Sequence, residues 1–147
     1  MSALETTQQP IPPFHLAFPV DDLEKARAFY GDTMGCGEGR SYSEWIDFDF
    51  FGNQIVAHMD DCSHNRLHLS SVDDHAVPIP HFGVVLHMTQ WEDLAKKLKA
   101  AGTEFVIEPY IRFKGLPGEQ ATMFFHDPFG NAIEIKAFAD LKSLFAK

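Results

Sequence analysis

The chain has 147 residues, 45% hydrophobic and 22% charged, with fourteen phenylalanines; this suits one globular domain, or two small modules sharing a core. A formal net charge of −9 disfavours nucleic acid and anionic membrane as partners, and no apolar run approaches the roughly 20 residues that span a bilayer. Cys36 and Cys62 lack metal-binding spacing, and with no signal peptide visible the chain reads as a cytoplasmic protein with reduced thiols.

In chain order, residues 1–12, rich in Gln and Pro, read as a flexible lead-in. His15 to Val20 is a short apolar strand. Asp21 or Asp22 can cap the helix predicted from Asp21 to Met34, in which Leu23, Ala26, Phe29 and Tyr30 fall on one face and which Gly35 and Gly37 end. Trp45 to Phe50 alternates apolar and polar residues, as a half-buried strand does, and Phe51-Gly52-Asn53 turns it into Gln54 to Met59. Asp60 to Val77 is a polar connecting loop. It carries His64, His68, His75 and two Asp pairs, most simply solvated, although such a loop can lid a site. Val77-Pro78-Ile79-Pro80 reads as an extended linker.

His81 to Met88 opens the second half. Thr89 with Glu92 forms a capping-box pattern, and the helix predicted from Thr89 to Ala101 buries Trp91, Leu94, Leu98 and Ala101 before Gly102 ends it. Glu104 to Phe113 is a strand, Lys114 to Gly118 a turn, and Gln120 to His126 its partner. Asp127 to Asn131 turns again into a last strand, Ala132 to Phe138, and Leu141 to Ala146 is a short helix in the tail.

Two segments of this series are near copies. Phe51-Gly52-Asn53-Gln54-Ile55-Val56-Ala57 recurs as Phe129-Gly130-Asn131-Ala132-Ile133-Glu134-Ile135. Each lies in a half that reads as strand, helix, then several strands and that a histidine opens, His15 in one half and His81 in the other. Internal duplication of this kind sets the architecture. The chain reads as an α+β fold of two βαβββ modules, residues 13–77 with the connecting loop and residues 78–140, followed by a tail at 141–147. Neither a parallel Rossmann pattern nor a glycine-rich phosphate loop appears.

With His15, with Pro80-His81-Phe82-Gly83 and with Asp127-Pro128-Phe129-Gly130-Asn131-Ala132-Ile133-Glu134, the chain resembles the vicinal oxygen chelate superfamily, which includes glyoxalases, extradiol dioxygenases and the fosfomycin- and bleomycin-resistance proteins. The resemblance covers roughly residues 13 to 138. It implies paired modules forming a curled mixed sheet around one metal site. It also implies divalent-metal chemistry on a small substrate that chelates through adjacent oxygens.

Alignment of the two halves places His15, Val56, His81 and Glu134 in four equivalent slots. Two histidines and one carboxylate suit a facial triad with open positions, so His15, His81 and Glu134 are the expected metal ligands. Fe(II) is favoured, with Mn(II), Zn(II) or Ni(II) acceptable. Val56 breaks the four-ligand glyoxalase pattern and moves the expectation toward a dioxygenase. A non-redox lyase, isomerase or transferase, or a metal-free sequestering protein, remains the alternative. Gln54 and His58 flank Val56 on its face and are candidates for a fourth ligand. His58, His126 and Tyr110 are candidates for acid–base work, although no tyrosine stands at the extradiol position, where Phe124 and Phe125 are found. Arg112, Glu119, Gln120 and Phe124 are candidates for contacting substrate, Arg112 by steering an anionic group. Exposed sheet edges make a homodimer the expected assembly.

Overall fold

A computed structural model describes residues 11–63, 69–72 and 75–147. The lead-in up to residue 10, His64, His68, Asp73 and Asp74 lie outside the described residues. The first module comprises strand β1 (His15–Val20), helix α1 (Leu23–Ala26) running into a π-helical segment (Arg27–Thr33), and strands β2 (Gly37–Tyr42), β3 (Trp45–Phe50) and β4 (Asn53–Met59). A small hairpin, β5 (Leu69–Val72) and β6 (His75–Pro78), leads to the second module. That module has β7 (Phe82–Leu86), helix α2 (Met88–Ala100), β8 (Phe105–Arg112), β9 (Gln120–His126) and β10 (Ala132–Phe138), and a 3₁₀ turn (Leu141–Phe145) follows.

The predicted duplication is what the chain forms. The first sheet has the order β1-β4-β3-β2 and the second β7-β10-β9-β8. In each, the opening strand pairs parallel with the last strand and the other pairs are antiparallel. The copied turn serves both, with Gly52 at φ 89° and Gly130 at φ 83°, a backbone that costs glycine little. Among the described residues no helix is long and apolar enough to cross a membrane.

Three expectations need correction, and one strand had no assignment. The predicted loop from Asp60 to Val77 contains β5, and with Pro78 it ends in β6; Val77 and Pro78 are buried there. The run after Gly37, not assigned to any element by pattern, is β2, an edge strand exposed along its whole length and therefore without apolar alternation. The first helix is mostly π-helical, with Met34 N–H donating to the Phe29 carbonyl at 2.9 Å. The second helix is capped by His87, not Thr89, with the Gln90 side chain returning to the His87 N–H.

Both modules bury their apolar faces in one core. Phe18 and Val20 of β1, Ile46, Phe48 and Phe50 of β3, and Ile55 and Ala57 of β4 share it with Met123 and Phe125 of β9 and Ile133, Ile135 and Ala137 of β10. Phe82 stacks on Phe18 with ring centroids 5.4 Å apart, and Phe29 of the first helix lies 6.3 Å from Phe125 of the second sheet. Trp91 of α2 donates to the Ile135 carbonyl at 3.1 Å. Cys36 is buried in this core as a free thiol, which burial pushes up to about 12.

Inside the core, one carboxylate joins the modules. Asp127 accepts from the N–H groups of Phe129 and Asn131 through Oδ1, and from Tyr30 Oη (2.6 Å) and Asn131 Nδ2 (2.8 Å) through Oδ2. Asn131 Nδ2 also reaches the Pro19 carbonyl at the end of β1, 2.8 Å away. Burial pushes the Asp127 carboxyl above its ordinary range, and the hydrogen bonds from Tyr30 and Asn131 pull it part of the way back.

Tyr30→Phe leaves Asp127 Oδ2 with one donor, and a cost of about 1–3 kcal/mol is expected, measured by urea unfolding. Because the folded-state value of Asp127 lies above the unfolded one, the native state holds more protons in that window. Stability therefore falls as pH rises through it, from about 4 upward. Asp127→Asn should flatten this part of a pH series of unfolding free energies.

Candidate metal centre

Side chains on alternate strand residues point to opposite faces, so register decides which residues meet. In the first sheet, His15, Gln54 and Asp49 lie in one row across β1, β4 and β3; Ala17, Val56 and Asp47 form the next; Pro19, His58 and Trp45 the third. The intervening residues enter the core. The polar face is thus the side of the sheet away from that core. In the second sheet, Gly83, Glu134 and Phe124 form one row across β7, β10 and β9, and Val85, Lys136 and Thr122 the next. This face also looks away from the shared core. A smaller cluster of Val77, Ile107, Phe124 and Ala132 covers part of it.

Here His81 and Glu134 come together, with His81 Nε2 3.1 Å from Glu134 Oε2. Each is held from behind. His81 Nδ1 lies 2.8 Å from the Pro78 carbonyl, and Thr122 Oγ1 donates to Glu134 Oε1 at 2.8 Å. The Phe124 ring packs on the His81 ring with centroids 4.9 Å apart.

The chemistry of this pair can be tested against a metal ion. A carbonyl only accepts, so His81 Nδ1 must donate. In the neutral ring Nε2 is then a bare lone pair facing a carboxylate oxygen, also a bare lone pair. Two acceptors at this distance need a cation between them, either a proton on His81 or a metal ion. The backing contacts are those that orient metal ligands elsewhere: an imidazole N–H on a backbone carbonyl and a hydrogen-bonded carboxylate. The donor set fits a divalent ion.

His15 stands apart from this pair. Its Nδ1 lies 2.8 Å from Gln54 Oε1 on the face of the first sheet, and among the described residues no three His, Cys, Asp or Glu side chains gather to hold a metal. The structure brings together His81 and Glu134 and leaves His15 on the other module.

The remaining candidates divide by face. Val56 is flanked on its face by Gln54, which reaches His15, and by exposed His58, whose Nδ1 lies 3.2 Å from the Met59 carbonyl. Tyr110 pairs with Thr122, and Arg112 with Gln120, on the same side of the second sheet as Glu134. Arg112 also lies over the Phe113 ring at 5.5 Å. His126 is exposed, with its ring 6.5 Å from Phe124. Glu119 instead closes the β8–β9 turn, its Oε1 accepting from Gly115 N–H at 3.0 Å. Sequence reasoning missed Thr122, Lys136 and Asp47. Strand parity would place them only once cross-strand register is known.

Residues 13–135 match the Glyoxalase/Bleomycin resistance protein/Dioxygenase superfamily. The chain belongs to that superfamily. A solved glyoxalase/bleomycin resistance protein/dioxygenase from Alicyclobacillus acidocaldarius is 33% identical, with a TM-score of 0.72 over 94% of this chain and 99% of that one. Two others share the fold at lower identity. The fosfomycin resistance protein FosX from Listeria monocytogenes is 21% identical, TM-score 0.63, covering 90% of this chain and 97% of its own. A virulence protein from Salmonella typhimurium is 22% identical, TM-score 0.59, covering 88% and 98%. No curated protein matches. Superfamily members typically bind a divalent metal and small-molecule substrates, and commonly form dimers.

One glycine underlies the centre. A Cβ at Gly83 would sit 1.5 Å from the Glu134 carbonyl oxygen and 2.6 Å from its carbon. Any side chain there must push β10 away from β7, and Glu134 with it. Gly83→Ala is expected to cost about 3 kcal/mol or more, at or beyond the upper end of the overpacking range, and to weaken metal binding. Thermal unfolding and metal titration of the same variant check both.

Proposed function

We propose that the protein is a metal-dependent enzyme acting on a small substrate that chelates through vicinal oxygens, with His81, Glu134 and His15 as ligands and a dioxygenase as the leading reading. The observation that carries it is the His81–Glu134 pair, two facing acceptors each oriented from behind. A two-histidine, one-carboxylate set leaves coordination positions open and suits Fe(II); Mn(II), Zn(II) and Ni(II) are compatible with the same donors.

His15 enters through a homodimer. The polar faces of the two modules lie outside a common core, so one copy's first-module face completes the second-module face of another. Each site then takes His81 and Glu134 from one copy and His15 from the second.

When bound, the ion supplies a Lewis acid and a template for the substrate's oxygens. The protein's own contribution is the surround. Thr122 holds the Glu134 carboxylate, Phe124 and Ile107 form an apolar wall, and Lys136, Arg112 and Gln120 offer polar contacts along the same face. The two cations favour a substrate with an anionic group. They support a second reading, a non-redox lyase, isomerase or transferase. Tyr110 and His126 are the acid–base candidates on this face, and His58 on the other.

Metal-free protein should take up divalent ion equimolar with chain, measured by titration and elemental analysis. His15→Ala, His81→Ala and Glu134→Ala should each remove tight binding, since each deletes a ligand. Wild-type affinity in any of them rejects that residue, and no uptake at all leaves a sequestering protein. O₂ consumption with a panel of catechols and related diols identifies a dioxygenase. Turnover without O₂ consumption identifies the second reading.

A further inference from the structure

The repeat places Val56 where the second module has Glu134, yet the first module's polar face is not without a carboxylate. Asp47 lies directly across from Val56 on β3 and is 8% exposed. Its Oδ2 accepts from Gln54 Nε2 at 3.3 Å, and Gln54 Oε1 faces His15 Nδ1 at 2.8 Å. Arg40 Nε lies 4.0 Å from the same Asp47 oxygen.

This chain of contacts has one consistent polarity. A carboxylate only accepts, so the Gln54 amide must turn its nitrogen to Asp47 and its oxygen to His15. That oxygen also only accepts, so His15 Nδ1 carries the proton. The lone pair of the neutral ring is then on Nε2, the atom left free to bind a cation.

We propose that Asp47 and Gln54 are positioning residues for His15: Asp47 sets the orientation of the Gln54 amide, and Gln54 fixes the tautomer and aim of the His15 ring as a metal ligand. The inference rests on the proposed role of His15 at the metal. The two modules then reach one end by different means. A backbone carbonyl, that of Pro78, selects the tautomer of His81, whereas a side-chain relay selects that of His15.

The test uses full-length, metal-free protein. Two-bond ¹H–¹⁵N correlations of the histidine rings in alkaline buffer should show His15 with its proton on Nδ1. Gln54→Leu, a change at an exposed residue, should release that tautomer into a mixture and weaken Zn(II) or Mn(II) binding by about 10- to 100-fold. Gln54→Glu sets two carboxylates against each other. Adding Asp47→Asn to it restores an amide donor to the new carboxylate, which still accepts from His15, so the double variant should recover most of the loss. Retention of the Nδ1–H tautomer or of wild-type metal affinity in Gln54→Leu overturns the proposal. Wild-type affinity in His15→Ala overturns the metal role itself. Loss in His15→Ala with none in Gln54→Leu overturns the relay alone.

Discussion

The Asp127 carboxylate is the constraint on which this molecule depends. Four hydrogen bonds converge on a group buried between two modules. Two come from its own turn, one from the Asn131 side chain and one from Tyr30 of the other module. A buried carboxylate is tolerated only when so satisfied. The Asp127–Asn131 turn that is the most specific string in the sequence therefore does architectural work. It joins the end of β9, the start of β10, the first helix and the end of β1. The burial of Tyr30 raises its phenol well above the ordinary range, which keeps it a donor to this carboxylate.

That clasp, with the aromatic packing around it, decides where chemistry can occur. Each sheet commits one face to the shared core. Strand alternation then delivers every residue of opposite parity to the face beyond it. Asp47, Gln54 and His15 follow from this in one module, and Glu134, Thr122 and Lys136 in the other, with His81 just ahead of β7. Duplication supplies two equivalent scaffolds, and small differences in side chain make them unequal. The second module has the carboxylate on its last strand. The first has it one strand over, where it reaches the histidine through Gln54.

Much of this is legible in the sequence. Elements with strong alternation or a clear helical stripe, such as Trp45 to Phe50 and the Trp91–Leu98 face, form where expected. The repeated Gly-Asn turn revealed the duplication, whereas the parallel pairing of first and last strands shows only in the folded chain. The misses share a cause. β2 buries nothing along its length and so has no pattern, and the π-helical stretch depends on hydrogen-bond register that helical periodicity does not encode. For the site, internal alignment brought out His15, His81 and Glu134 as a set, and cross-strand neighbours such as Thr122 and Asp47 were invisible because they depend on pairing. The separation of His15 from the other two depends on how whole sheets pack, which no local pattern carries.

That separation has a thermodynamic consequence in the proposed homodimer. An ion held by His81 and Glu134 of one copy and His15 of another binds the assembled state more tightly than the free chain, so by mass action it stabilises the assembly as well as the fold. The core needs no such help, since Phe18, Phe82 and the Asp127 clasp join the modules within one chain. Folding and site formation are thus separable. The apolar faces build each chain, and the polar faces, left outside that core, are free to meet a second copy and a ligand.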